Sequence, residues 1–301
     1  MKLTFIVVYH NMKREIARTL MSLKKEYQLD SEEIDYEVIV VDNGSSELLM
    51  PEEVKQAGDY FFFSSMQPSH PSPAHAINRA AELATGDVLC IMVDGATILS
   101  PGVVSLTHKC FKSHKNPVVA LRYFFLGYKE QNLSIAEGYT KSIEDDLLSS
   151  INWPNDGYRL FEISTPMRFP DQKMVKWTDK MIESNCLCML KSTFDELGGC
   201  EPLFDFPGGG FMNIDLYQRA AELPNTTLIL LIGEGVFHQL HGGTTTNVDP
   251  AIRDSRVSDY RTQYEEIRGQ PLKPVNTEYF FFGHYPNDAS KIHRKKFEYT
   301  A

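Results

Sequence analysis

Asp42, Asp94, His238 and His241 have the residue types and surroundings for ligand chemistry. Each aspartate follows a short apolar run, residues 36–41 and 88–93, and opens a glycine-containing turn. The turns are Asp42-Asn43-Gly44-Ser45 and Asp94-Gly95-Ala96. A carboxylate at such a point is exposed at a sheet edge while its backbone is held rigidly. Two of them from different strands can hydrogen-bond a base or ribose and hold a cation against phosphates. Taken singly, each is an ordinary turn residue that bonds its own backbone. Their joint placement on one sheet edge favours a binding site. His238 and His241 stand three apart and precede Gly242-Gly243-Thr244-Thr245-Thr246. Imidazole binds metals and donates to phosphate, and flanking glycine lets a backbone approach a bulky anion.

The elements that must position these groups alternate in type. Residues 3–8 are apolar and β-branched, and 12–26 place Ile16, Leu20 and Leu23 on one helical face. Strands are expected at 36–41, 60–63 and 88–93, and helices at 73–84 and from Pro101. This alternation predicts an α/β fold with a mainly parallel central sheet flanked by helices. In such sheets ligands bind beyond the carboxyl ends of the strands, which points to Tyr9-His10-Asn11 and the two aspartate turns. Further on, residues 118–128, 182–190 and 227–232 read as strands, and 191–197 and 215–223 as helices. Residues 132–170, with Trp153, read as an insertion shaping a cleft. Pro207-Gly208-Gly209-Gly210 reads as a turn or hinge, and residues 233–243 as a glycine-rich segment. Without a linker or repeat, residues 1–249 are expected to form one domain, with 250–301 a helical C-terminal extension packed on it.

The chain has 301 residues, 42% hydrophobic and 23% charged, the composition of an ordinary globular protein. A formal charge of −10 argues against nucleic acid as a partner, because binding phosphate backbones needs a basic face. The dense basic run from Lys291 to Lys296 could touch an anionic membrane surface, although such runs are usually solvated. No apolar run is long enough to span a bilayer. The N-terminal run reads as a first strand and not as a signal peptide, so a cytoplasmic location is expected. Five cysteines without zinc-like spacing read as buried free thiols. Trp153 and Trp177 are candidate sugar-stacking platforms, with packing the commoner role.

In these positions the sequence resembles the family 2 glycosyltransferases of GT-A fold. Residues 5–11 with Arg18, Thr19, Leu20, Ser22 and Leu23 are similar to the family's opening strand and helix. Residues 40–47 are similar to its base-binding turn. Asn78 with Ala84, Gly86 and Asp87 matches the helix before the metal-site strand. Asp94-Gly95-Ala96 stands at the DxD segment. Phe194, Leu197-Gly198-Gly199, Asp215-Leu216, Arg219 and His238 follow in the family's order. The DGA segment with a HQ-x-HGG loop is similar to a branch of bacterial members. The resemblance implies sugar transfer with inversion from a nucleotide-diphosphate sugar, a UDP-sugar first, to an acceptor hydroxyl on a glycan, a lipid-linked or a small molecule. It implies nucleotide-sugar contacts from Tyr9, Asn11, Asp42, Asn78, Asp94 and Gly95. A divalent cation, Mn2+ or Mg2+, would be held by Asp94 with His238 and His241.

Two positions depart from the family pattern. Ala96 replaces the second DxD carboxylate and cannot coordinate metal. Met212-Asn213 replaces the acid pair that holds the base, and an amide cannot take a proton at ordinary pH. Asp215, Glu201 and Glu183, in that order, are the remaining candidates for the base. Capping its helix or favouring the dipole is the commoner job for a carboxylate placed as Asp215 is. The departures leave three readings open: a cation held by Asp94 with His238 or His241, histidines and helix N-termini stabilising the diphosphate in place of a metal, or a nucleotide-sugar-binding pseudo-transferase. A nucleotidyltransferase is disfavoured, since the first strand exit lacks a glycine-rich loop.

Overall fold

The computed structural model describes residues 1–168 and 175–284. The first half runs β1 (Leu3–Tyr9), α1 (Lys13–Ser22), β2 (Tyr36–Asp42), α2 (Pro51–Lys55), β3 (Phe61–Ser65), α3 (Ala74–Leu83), β4 (Val88–Met92), β5 (Thr97–Leu99), α4 (Val103–Ser113) and β6 (Pro117–Leu126). Then come α5 (Gln131–Ala136), α6 (Lys141–Ile151), a 3-10 turn (Gly157–Ile163), β7 (Ser164–Pro166), β8 (Leu187–Leu190), α7 (Lys191–Glu196) and α8 (Met212–Glu222). The chain continues through β9 (Thr227–His238), α9 (Pro250–Arg268) and β10 (Tyr279–Gly283). The basic run from Lys291 to Lys296 lies outside the described residues.

Among the described residues one sheet takes the order β10-β9-β6-β8-β4-β1-β2-β3, with β5 on β9 and β7 on β6. The pairings β1–β2, β1–β4, β2–β3, β6–β9 and β9–β10 are parallel, while β8 runs antiparallel between β4 and β6. Both faces are covered, which explains why the strands are continuous apolar runs. Along β1, Phe5, Val7 and Tyr9 face one core with α1 and α4 residues such as Ile16 and Val104. Ile6 and Val8 face the other, with Ile77 of α3, Leu216 of α8 and Tyr260 of α9. A third cluster joins Trp153, Trp177, Phe161 and Phe237 beneath the insertion.

One expectation is corrected here, and the commoner, packing role of the two tryptophans is the one observed. His238 ends a strand and does not sit in a glycine-rich loop. Gly233, at φ +83°, and Gly235 belong to the strand, where a Cβ on Gly235 would lie 2.7 Å from the Phe124 ring. The ladder to β6 shifts register there. Trp153 and Trp177 are core residues, 6% and 5% exposed, packed edge-on or tilted against Tyr27, Phe124 and Phe161. β10, unforeseen in the extension, pairs with β9 and lengthens the central sheet. All five cysteines are buried and free.

Candidate active site

The carboxyl ends of β1, β2 and β4 open together, since Tyr9 pairs with Asp42 and Val7 with Met92. They floor a cleft of about 470 Å³, large enough for a small organic ligand. Its walls include the 70–73 segment, the glycine turn at 207–210 and the loop 241–246. Gly208, Gly209 and Gly210 all adopt positive φ, which lets this wall turn tightly beside Thr244.

Asp94 follows β4, and its Oδ1 accepts from the Ala96 N–H at 2.8 Å. That bond aims Oδ2 at His238 Nε2, 3.0 Å away, and His241 Nε2, 3.1 Å away. The two imidazole nitrogens are 3.0 Å apart. Three potential ligand atoms thus lie within 4.8 Å of one another. Burial alone would raise the Asp94 carboxyl, but the His241 and His238 imidazoles outweigh it and hold it well below the usual carboxylate range. Burial lowers the His238 imidazole, whereas Asp94 overcomes burial at His241 and raises it. Two histidines and a carboxylate are a mixed nitrogen and oxygen donor set for a first-row divalent ion, so the residues fit a cation. Ala96 is buried, and its carbonyl accepts from the Gln239 N–H at 2.8 Å.

The histidine loop is held from outside the cleft. Arg14 and Arg18 of α1 both pair with Asp145 of α6. Glu144 accepts from the Leu240 N–H at 2.8 Å, and the Gln239 amide donates to the Glu15 carbonyl at 3.0 Å.

Glu183 lines the same cleft. Its Oε2 accepts from Asn213 Nδ2 at 3.0 Å, and the same nitrogen donates to Asn185 Oδ1 at 2.9 Å. Burial raises the Glu183 carboxyl against the lowering effect of the Asn213 amide. Asn213 Oδ1 is buried without a partner.

Other expected site residues have different placements. Asp215 is fully buried outside the cleft lining, held by Arg219 at 2.8 Å and by Arg268 at 2.6 and 2.8 Å. Glu201 meets Arg268 at 3.5 Å, also outside the lining. These two carboxylates anchor α9 to α8 and the preceding turn, so their expected role as base does not fit the geometry. Asn78 exchanges two bonds with the Cys200 backbone, at 2.8 and 2.9 Å, and does not line the cleft. Gly95 accepts from Thr19 of α1 at its carbonyl, and a Cβ there would lie 2.5 Å from Tyr9 Cβ of β1, so this glycine serves close packing against β1 and α1. Tyr9 and Asn11 do line the cleft. Asn11 Oδ1 accepts from Ser46, latching the β1 exit to the β2 exit. Asp42 is buried beside the lining; Oδ1 accepts from Ser45, and Oδ2 has no partner. His10 joins the lining from the strand exit marked in the sequence, and His70 and Tyr123 join it without a local pattern that marks them.

The profile of Glycosyl transferase family 2 matches residues 4–194. No curated protein sequence matches significantly. Among solved structures, the chain is similar to S. aureus TarS 1-349 in complex with UDP, with a TM-score of 0.53 at 13% identity, covering 88% of this chain and 72% of that one. TarS 1-349 in complex with UDP-GlcNAc gives a TM-score of 0.53 at 13% identity, covering 88% and 73%. The mannosyltransferase PcManGT from Pyrobaculum calidifontis, in complex with GDP-Man and Mn2+, gives 0.51 at 13% identity, covering 90% and 65%. At such identities the likeness is one of fold, a central sheet flanked by helices with the GT-A arrangement. With the family profile spanning more than half of the sequence, the chain belongs to glycosyl transferase family 2 and is a glycosyltransferase.

Proposed function

We propose that this glycosyltransferase moves a sugar, with inversion, from a uridine-diphosphate sugar to an acceptor hydroxyl, using a divalent cation at Asp94, His238 and His241 and Glu183 as base. The observation that carries the reading is the convergence of those three ligand atoms on the cleft that Glu183 also lines. Among the described residues the lining holds the carboxylates Asp94 and Glu183 and no lysine or arginine. A diphosphate entering there meets like charge, so a cation is the consistent counter-charge. Bound there, a divalent ion would neutralise the departing diphosphate. The two imidazoles supply the donors that Ala96 lacks.

Glu183 takes the proton of the acceptor hydroxyl as that oxygen attacks the anomeric carbon. Its raised proton affinity makes it a better base than a solvated carboxylate. Asn213, at the family's usual base position, holds Glu183 Oε2 instead. Asp42 Oδ2, buried without a partner, is an acceptor that suits the N3–H of uracil. Residues 1–249 with the extension then act as one catalytic unit. TarS with UDP and PcManGT with Mn2+ support this reading by analogy of fold.

Calorimetric titration of UDP is the test. Binding is expected with Mn2+, and at least tenfold weaker in EDTA or in Asp94→Ala. UDP affinity indifferent to both changes would refute the cation site.

A further inference from the structure

Gln131, the first residue of α5, is fully buried and joins His238 to the loop beyond it. Backbone N–H groups can only donate, so they fix the orientation of any amide that meets them. The N–H groups of His241, Gly242 and Gly243 converge on one side-chain atom of Asn247, at 3.0, 2.8 and 2.9 Å. That atom must be Oδ1. Asn247 Nδ2 is therefore the atom 2.9 Å from Gln131, and Gln131 must present Oε1 to it. A second constraint agrees: Gln131 Nε2 donates at 3.0 Å to the His238 carbonyl, which can only accept. Flipping either amide would set donor against donor or acceptor against acceptor.

Gln131 Oε1 also lies 2.8 Å from His238 Nδ1, so this nitrogen carries the hydrogen. In a neutral ring the lone pair is then on Nε2, the atom 3.0 Å from His241 Nε2 and 3.0 Å from Asp94 Oδ2, itself an acceptor, so Nε2 is free of hydrogen only with a cation between them. We propose that Gln131 is a positioning residue that holds His238 in its Nδ1–H form and so presents the Nε2 lone pair to a divalent cation beside Asp94 and His241. Through Asn247 the same amide sets the backbone turn that carries His241. The inference rests on the cation reading above. Loss of such an outer partner typically weakens metal binding by about 10–100-fold.

The test uses the full chain and Mn2+ alone, titrated by electron paramagnetic resonance, with 15N-histidine spectra of the metal-free protein. Gln131→Met keeps the length and removes the acceptor; Gln131→Glu, buried and protonated, keeps an acceptor toward Nδ1–H and a donor toward the His238 carbonyl. The Met variant is expected to bind Mn2+ about 10–100-fold more weakly, with His238 redistributed between tautomers, and the Glu variant to recover most of the affinity. Unchanged Mn2+ affinity in the Met variant would overturn the proposal. So would a His238 in the parent whose Nδ1 carries no hydrogen, a measurement that does not depend on any variant folding. If the parent binds no Mn2+ while its His238 tautomer follows residue 131, the cation reading fails and the control by Gln131 stands.

Discussion

Glu183 sits in the cleft with one oxygen accepting from Asn213, and burial increases its hold on a proton. A base must be ionised to act, so turnover should rise with pH through a carboxyl raised above the usual 4.5. Glu183→Gln should cost about 10²–10⁴-fold in kcat and remove that acidic limb. A pH–rate profile measured on both proteins checks this. A limb that persists in the variant would mean that another group takes the proton. Asn213→Ala leaves Glu183 in place but frees its Oε2, and should shift the limb upward, because the amide lowers that carboxyl.

At the scale of elements, Asp215 ties α8 to α9 through Arg268, while Arg219, one turn on in α8, pairs with it within the helix. The carboxylate is fully buried, while the two guanidinium side chains are 22% and 24% exposed. Removing one partner of a buried pair is costly, but partial exposure lets solvent screen the stranded arginines, leaving a loss of about 2 kcal/mol. Asp215→Asn should therefore lower stability in urea titrations by about that amount while kcat stays within about threefold. A large fall in kcat at unchanged stability would return Asp215 to the chemistry. The contrast with Glu183 is one of partners: Asp215 is spent in ion pairs away from the cleft, while Glu183 faces the cleft with one amide donor.

For the molecule as a whole, Glu234 joins β9 to α4 and the 3-10 turn from the fully buried side. It accepts from Ser100 at 2.5 Å, the Gly102 N–H at 3.0 Å and Tyr158 at 2.8 Å. Burial raises its carboxyl to about 7 against these bonds. Between the ordinary 4.5 and about 7, the unfolded chain releases this proton and the folded one retains it. Its contribution therefore falls as pH rises across that window, by about 3 kcal/mol, and is flat above it. Glu234→Gln should lose this slope, read as the difference between parent and variant stabilities at pH 5 and pH 8. A slope unchanged by the substitution would mean Glu234 ionises in the folded state as it does in water.

The sequence by itself determined the alternating α/β order, the ends of the strands that carry the two aspartates and the candidacy of Asp42, Asp94, His238 and His241. These follow from local periodicity and turn chemistry, which act over a few residues. Tertiary structure alone decided which carboxylate faces the cleft and which is spent in packing. Glu183 and Asp215 look alike in sequence and differ by partners 30 and 53 residues away. It also decided that Asn78 and Gly95 serve packing and that Gly233 and Gly235 continue a strand. Gln131 reaches His238 across 107 residues. Hydrogen bonds and burial across such separations exist only once the sheet has closed, so no local pattern announces them.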